Sequence, residues 1–131
     1  MDVRSFIFLP LIAACATGPS VGVPVTGEWG GRHVGLSLTS SGGTLEYDCA
    51  SGTITGPLIP TSSGSFAAEG VHAPAAGGPE IEGQVLPRHA VRYTGRIRGG
   101  TMNLVGRLDN GVILGPFELR RDAEPIIFRC L

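Results

Sequence analysis

Hydrophobic and polar residues alternate between Val91 and Arg121, and two turn signals interrupt the alternation. Gly99-Gly100 and Asn110-Gly111 both suit two-residue hairpin turns, because Gly and Asn accept a positive φ. Such turns pair Arg98 with Thr101, Leu108 with Ile113 and Gly106 with Gly115. Both hairpins then place the same apolar side chains on one face, namely Tyr93, Ile97, Met102, Leu104, Leu108, Ile113, Phe117 and Leu119. A slip of one residue would invert the faces, so this agreement predicts three antiparallel strands.

The first half of the chain alternates in the same way. A four-residue loop over 40–43 places Leu36 opposite Tyr47, and a turn at Ser51-Gly52 places Tyr47 opposite Gly56 and Cys49 opposite Ile54. Tyr93 likewise faces Gly106. A ring over a glycine fits a strongly coiled sheet, because the missing side chain leaves room for it. On this register Cys49 points inward.

The pattern as a whole predicts an all-β fold, a small eight-stranded antiparallel up-and-down barrel formed by residues 27–131. The strands are expected at 32–39, 44–50, 53–59, 65–72, 91–98, 101–109, 112–121 and 126–130. An eight-stranded barrel is either filled by side chains or holds one small ligand. The long connection 73–90 is of a length that is usually functional or disordered.

The register of the fourth strand is open, because the turn over 60–65 does not fix it. If Phe66, Ala68 and Gly70 face inward, His72 does so too, near the mouth of the barrel. In the alternative register His72 is exposed and Glu69 is buried. We favour the first register because burying a carboxylate is costly.

The N-terminus has the features of an export signal. Arg4 precedes an apolar run over 6–14, which is too short to span a bilayer. The run Leu11-Ile12-Ala13-Ala14-Cys15 resembles the lipobox of bacterial lipoproteins, which implies a signal peptide over 1–14 and lipidation of Cys15. Cleavage after Ala16 is the alternative. Residues 15–26 are rich in Gly and Pro and are expected to form a flexible tether. The predicted location is the cell envelope, with a lipid anchor in the membrane.

Composition limits the classes of function. The formal net charge is -1, and the ten basic side chains other than histidine are all arginines, so no basic footprint for nucleic acid is present. Processing leaves Cys49 and Cys130 in an oxidising compartment, where a disulfide is the simplest expectation and two buried thiols are the alternative. Cys130 shares a face with Ile126 and Phe128, so a bond to Cys49 would tie an early strand to the last one.

Catalytic and metal-binding motifs do not emerge from the sequence. It contains no Gly-x-Ser-x-Gly elbow and no phosphate-binding loop between a strand and a helix. Three histidines with Glu46 and Asp48 raise the question of a metal site, but their spacing matches no motif, and a solvated strand face is the preferred interpretation. We therefore predict neither an enzyme, nor a cofactor, nor a metal site.

Three resemblances accompany the strand pattern. Gly27-Glu28-Trp29 resembles the Gly-x-Trp that opens the first strand of lipocalin-like and avidin-like barrels, in which the Trp helps to plug one end. The segments 29–33 and 47–52 are similar to parts of uncharacterised small secreted bacterial proteins, which implies no activity. The lipobox, the barrel, Leu45-Glu46-Tyr47-Asp48-Cys49 and Phe128-Arg129-Cys130 together resemble the membrane-bound inhibitors of c-type lysozyme, which block an enzyme's cleft with loop residues.

Two functions remain open at this point. A carrier would hold a small apolar ligand inside the barrel, in space left by Gly56, Gly95, Gly106 and Gly115. Its predicted binding residues are Trp29, Tyr47, Phe66, His72, Tyr93 and Phe117. An interaction or inhibitor module would instead dock an envelope protein through the 73–90 loop and an outer face lined by Arg92, Arg96, Arg98 and Arg107. A lumen filled by Leu, Ile, Met and Phe would favour the second.

Overall fold

The chain forms a closed barrel of eight antiparallel strands, which confirms the predicted fold class. The computed structural model describes residues 22–75, 83, 86–128 and 130, and no helix occurs among them. The strands are β1 (Gly27–Gly31), β2 (Val34–Thr39), β3 (Gly42–Tyr47), β4 (Ala50–Thr55), β5 (Ser65–Pro74), β6 (His89–Arg98), β7 (Thr101–Leu108) and β8 (Ile113–Arg121). Each strand pairs with the next, and β1 also pairs with β8, which closes the sheet.

The two ends of the barrel are built differently. What we call the loop end carries the turns β1–β2, β3–β4 and β7–β8 together with the β5–β6 connection over 75–88. What we call the tether end carries the turns β2–β3 and β6–β7, the β4–β5 connection over 56–64 and the entry of the chain over 22–26. The predicted signal peptide and Cys15 lie outside the described residues, as does half of the 73–90 loop.

Pairing in the second half follows the predicted register up to a bulge. Arg98 pairs with Thr101, Tyr93 with Gly106 and Leu104 with Phe117, as expected. Beyond Leu104 the register shifts, so that Gly106 pairs with Leu114 rather than with Gly115. An extra residue on β8 produces this shift, since a β-bulge sets two residues of one strand against one of its partner. Ile113, which was expected to face inward, is therefore 53% exposed.

Pairing in the first half differs from the prediction. Leu36 pairs with Leu45 rather than with Tyr47, because the β2–β3 turn has two residues instead of four. Leu45 pairs with Gly52, so the next turn lies at Asp48 and Cys49 rather than at Ser51-Gly52. Both shifts are even-numbered, so the predicted inward residues of β2 and β3 remain inward. Cys49, however, lies in the turn and is exposed, which contradicts the expectation that it points into the barrel.

The number of strands is as predicted, but their identity differs at both ends of the chain. The predicted first strand, 32–39, is preceded by a separate strand β1, and a tight turn joins it to β2 with His33 at φ 71°. The predicted last strand, 126–130, is not part of the barrel. Its described residues make a single parallel bridge, between Ile126 and Arg32.

Residues 122–128 and Cys130 form what we call the C-terminal strap, which crosses the outside of β1 and β2. A side chain at Gly30 would collide with the backbone of Ala123, and one at Gly35 would meet the Pro125 ring. These two glycines face each other across β1 and β2, so together they form a flat floor for the strap. The predicted disulfide joins Cys49 to Cys130, with their Cα atoms 5.0 Å apart. It fastens the strap to the β3–β4 turn; pairing of β1 with β8, not the disulfide, closes the barrel.

Candidate functional site at the loop end

The tether end of the barrel is closed by Trp29. Its indole is buried, and the guanidinium of Arg121 lies over it at 4.5 Å from the ring centroid. Arg121 also donates a hydrogen bond to the Thr26 carbonyl at 3.1 Å, while the Val25 amide donates to the carbonyl of the fully buried Leu58. Such a cation over an aromatic face is stabilising. Trp29 thus fills this end of the lumen, and Arg121 and the Thr26 backbone cover it.

The middle of the lumen is occupied by the rings of Tyr93 and Phe66. A Cβ atom at Gly106 would lie 3.1 Å from Tyr93 Cε1, and one at Gly95 would lie 2.7 Å from Phe66 Cζ. The space expected at these glycines is therefore taken by aromatic side chains of the protein itself. Gly56 and Gly115 do not line the lumen: Gly56 follows the last residue of β4, and the exposed Gly115 lies in the bulge of β8.

Tyr47 and Tyr93 join opposite walls of the barrel. Their hydroxyls form a buried hydrogen bond of 2.9 Å between β3 and β6. Burial raises the pKa of both phenols well above the usual value, so both remain neutral. A satisfied polar pair of this kind fixes one arrangement of the core around it.

Tyr47 also forms the floor of the loop end. Its ring contacts the imidazole of His72, edge to face at 5.3 Å, and the ring of Phe117 at 5.8 Å. His72 is 8% exposed, which confirms the inward register that we favoured for β5. Its Nδ1 atom is buried without a hydrogen-bond partner in the described part of the chain. Burial, and secondarily His89, lower the pKa of His72, so the neutral imidazole is favoured.

The six predicted ligand-binding residues therefore lie at three levels of the barrel. Tyr47 contacts both His72 and Phe117 at the loop end, Tyr93 and Phe66 fill the middle, and Trp29 closes the tether end. Five of them belong to the apolar core or pack against it, and His72 is buried beside it. As a set they build the interior of the barrel and do not outline one pocket.

What we call the Phe128 cluster lies on the outside of the loop end and consists of Arg32, His33, Asp48 and Phe128. The Phe128 ring packs on His33 at 4.7 Å, with the Arg32 guanidinium 5.4 Å from its centroid. Asp48 accepts hydrogen bonds from the Phe128 amide, at 2.8 Å, and from His33 Nδ1. The Phe128 amide and, to a smaller extent, His33 hold the pKa of Asp48 below its usual value. Asp48 is thus a structural acceptor rather than part of a solvated strand face.

The Phe128 cluster is rigidly held yet presents apolar surface. Phe128 is 43% exposed and the neighbouring Ile126 is 57% exposed. The backbone of Ile126 is fixed by hydrogen bonds to Gly31 and His33, and the disulfide follows at Cys130. Sequence reasoning missed this cluster because it joins the β1–β2 turn, the β3–β4 turn and the strap. The one signal in the sequence is that Phe128 lies two residues before Cys130, which places an aromatic residue beside the predicted disulfide.

Other polar groups lie at the same end or on the wall. His89 Nδ1 is paired with Asp109 at 2.7 Å on the opposite side of the loop end. The predicted arginine face exists, since Arg92, Arg96, Arg98 and Arg107 are all exposed on the outer side of β6 and β7. Arg92 is paired with Glu69 at 2.9 Å. In the described ranges no three His, Cys, Asp or Glu side chains are grouped so that they could hold a metal ion.

A shallow groove of about 160 Å³ lies between the strap and the outer side of β1–β3. Its walls include Glu28, Ser37, Thr44, Glu46 and Pro125. The Ser37 hydroxyl already donates to Glu28 at 2.6 Å, so part of the polar lining is satisfied internally. This groove lies on the exterior of the protein.

No helix in the described ranges has the length and apolar character that a membrane span requires. Comparison with protein-family models, with curated proteins and with solved structures finds no match for this chain. The geometry of the barrel is thus the basis for any statement about its function.

Proposed function

We propose that this protein is a non-catalytic binding module of the cell envelope, anchored by a lipid on Cys15, that contacts a partner protein through the loop end. One observation carries the proposal. The rings of Tyr93 and Phe66 occupy the middle of the lumen, and the Tyr47–Tyr93 hydrogen bond crosses it. A binding function is therefore assigned to the outer surface.

The loop end is favoured over the rest of the outer surface because of the Phe128 cluster. Binding hot spots are typically aromatic and arginine side chains. The Phe128 cluster contains one of each, since the Arg32 guanidinium lies over the exposed Phe128 ring. The hydrogen bond to Asp48 and the disulfide hold the ring in place before any partner arrives, which lowers the entropy cost of association. Ile113, exposed by the bulge in β8, adds apolar surface at the same end.

Native mass spectrometry of the mature protein, gently purified from the envelope of its own host, tests this proposal. We expect a protein partner bound at a defined stoichiometry and no small molecule in the barrel. Phe128→Ala should weaken the complex about tenfold or more, as expected for a hot-spot aromatic residue. Ile59→Ala, which alters an exposed apolar residue at the tether end, is the matched control and should leave the complex intact. A tightly bound small apolar molecule would overturn the proposal and restore the carrier function.

A further inference from the structure

The chain enters the barrel at the tether end, and its entry is fixed there. A Cβ atom at Gly22 would lie 2.6 Å from the Ile59 side chain, and the Val25 amide donates to the Leu58 carbonyl at 2.9 Å. Residues 22–26 thus rest on the β4–β5 connection. Residues 15–21 remain between Cys15 and this point, and fully extended they reach at most about 25 Å. A lipid on Cys15 would keep the tether end, and not the loop end, close to the membrane.

The tether end presents exposed aliphatic side chains beside arginines. Ile59 is 40% exposed and Val23 is 81% exposed. Arg98 and Arg120 are both exposed and flank Thr101 in one cross-strand row over β6, β7 and β8. The Ile97 amide donates to the Gly64 carbonyl, so the β4–β5 connection lies against the end of this row.

Acidic groups near this row are few and lie to one side. Glu118 contacts Arg120 at 3.7 Å, and Asp122 follows β8 with its amide donating to the backbone carbonyl of Glu28. The remaining turns at this end consist of serine, threonine, glycine and proline residues, at 40–41, 60–64 and 99–100. Aliphatic residues combined with arginines, on a surface whose acidic groups lie on the β8 and β1 side, match the interface of a bilayer that carries anionic headgroups.

We infer that the tether end is a membrane-docking surface, on which Arg98 and Arg120 meet the phosphates of anionic lipids while Ile59 and Val23 enter the interfacial region. The inference rests on the proposed lipid anchor, which supplies the high local concentration that so small a surface needs. Each arginine near an anionic surface strengthens attachment about fivefold. Docking in this orientation directs the Phe128 cluster away from the membrane, where a partner protein can reach it.

The experiment uses the mature chain from Cys15 onward, which contains the whole closed barrel and the strap. Since Cys49 and Cys130 are joined in the disulfide, Cys15 is the free thiol for coupling to a maleimide lipid. The vesicles consist of phosphatidylcholine alone or of an equal mixture with phosphatidylglycerol. On the anionic vesicles we expect slower hydrogen exchange at 57–64 and 97–101 than on neutral ones, and added salt should reverse the effect.

Variants define the surface. Arg98→Ser combined with Arg120→Ser should lower the equilibrium constant for docking about thirtyfold and remove the protection. Arg107→Ser is the matched control, because it removes an exposed arginine of the same wall at the loop end and should leave the protection unchanged. Protection that is absent, or equal on neutral vesicles, would overturn the inference. Loss of protection in Arg107→Ser would also overturn it, since the barrel would then lie on its side.

Chemical coupling replaces the natural lipid in this assay, so the result does not depend on lipidation in the host. Incorporation of labelled palmitate at Cys15, and its loss in Cys15→Ser, tests the anchor separately. A chain that is not lipidated in its host but docks when coupled would contradict the anchor while leaving the character of the surface established.

Discussion

Replacing Gly106 by valine is the sharpest test of whether the lumen is packed. At Gly70 and Gly95 the backbone carbonyls of the neighbouring strands already exclude any side chain, but at Gly106 the nearest atoms belong to the side chains of Tyr93 and Val91. The outcome at Gly106 therefore reports on the lumen and not on the sheet itself.

The expected destabilisation follows from these contacts. The first added carbon of Gly106→Val lies 3.1 Å from Tyr93 Cε1 and 3.3 Å from Val91 Cγ2, both closer than ordinary van der Waals contact. Two further methyl groups must then be accommodated. Overpacking of this kind destabilises the folded state by about 1–3 kcal/mol. Replacing glycine also lowers the conformational entropy of the unfolded chain, which stabilises the folded state by at most about 1 kcal/mol. We expect a net loss near 1–2 kcal/mol, or about 5–15 °C in melting temperature for a domain of this size.

Thermal unfolding followed by circular dichroism measures the effect of Gly106→Val. Gly100→Val is the matched control, because nothing lies within 4 Å of a Cβ atom there, and it should melt within a few degrees of the wild type. Combining Gly106→Val with Tyr93→Leu should cost less than the sum of the single changes, because the smaller side chain frees the space. A Gly106→Val protein as stable as the wild type would refute the packed lumen and with it the main support for the proposed function.

Three further predictions concern the hydroxyl pair, the disulfide and His72. Tyr47→Phe should destabilise the barrel by about 1–2 kcal/mol in urea unfolding, because it leaves the buried Tyr93 hydroxyl unpartnered, and adding Tyr93→Phe should recover part of the loss; an additive double variant would contradict the pairing. Cys130→Ser opens a closed loop of 81 residues, worth up to about 4 kcal/mol on the chain-entropy model. Because the strap can detach without opening the barrel, we expect a loss of only about 5–10 °C in melting temperature with the β-sheet spectrum retained, and reductant should lower the wild type to the same value. The pKa of His72 is lowered in the folded state, so as the pH falls the unfolded chain takes up a proton at a higher pH than the folded chain does. The free energy of unfolding should therefore be highest above about pH 6.5 and decrease below it. His72→Gln should reduce that fall, and an NMR titration that places the His72 pKa at or above 6.5 would contradict the buried position.

Much of the fold could be predicted because local residues fix it. Gly99-Gly100 allows only one tight hairpin, and that turn sets the register of β6 and β7 for every residue up to Leu108. In the first half the turn signals were weaker, since serines and glycines over 40–43 and 48–52 permit loops of several lengths. The faces were still predicted correctly for β2 and β3, because a register shift of two or six residues does not move a side chain to the other face.

The candidate site was harder to predict than the fold. The sequence identified the cysteine pair, the inward aromatic residues and the Tyr93 ring over Gly106, but it placed the disulfide inside the barrel and left open whether the glycines provide space for a ligand. In the structure Tyr93 covers Gly106, as predicted. Phe66 covers Gly95, which was not predicted because that contact depends on the register of β5 against β6. The Phe128 cluster joins residues about 80 and 95 positions apart, through the contacts of Phe128 with Asp48 and His33.

The sequence by itself determined the all-β class, the hairpin of β6 and β7 and the inward faces of β2 and β3, because alternation and turn residues act locally. It also predicted the disulfide, since Cys49 and Cys130 are the two cysteines outside the N-terminal segment. The total of eight strands agreed because β1 was missed while 126–130 was counted in its place. The tertiary structure alone decided that β1 closes the barrel against β8, that the strap crosses the glycine floor of Gly30 and Gly35, and that Phe66 covers Gly95 in the middle of the lumen. These features depend on which surfaces meet after the strands have coiled into a barrel. No local preference of the chain encodes that meeting.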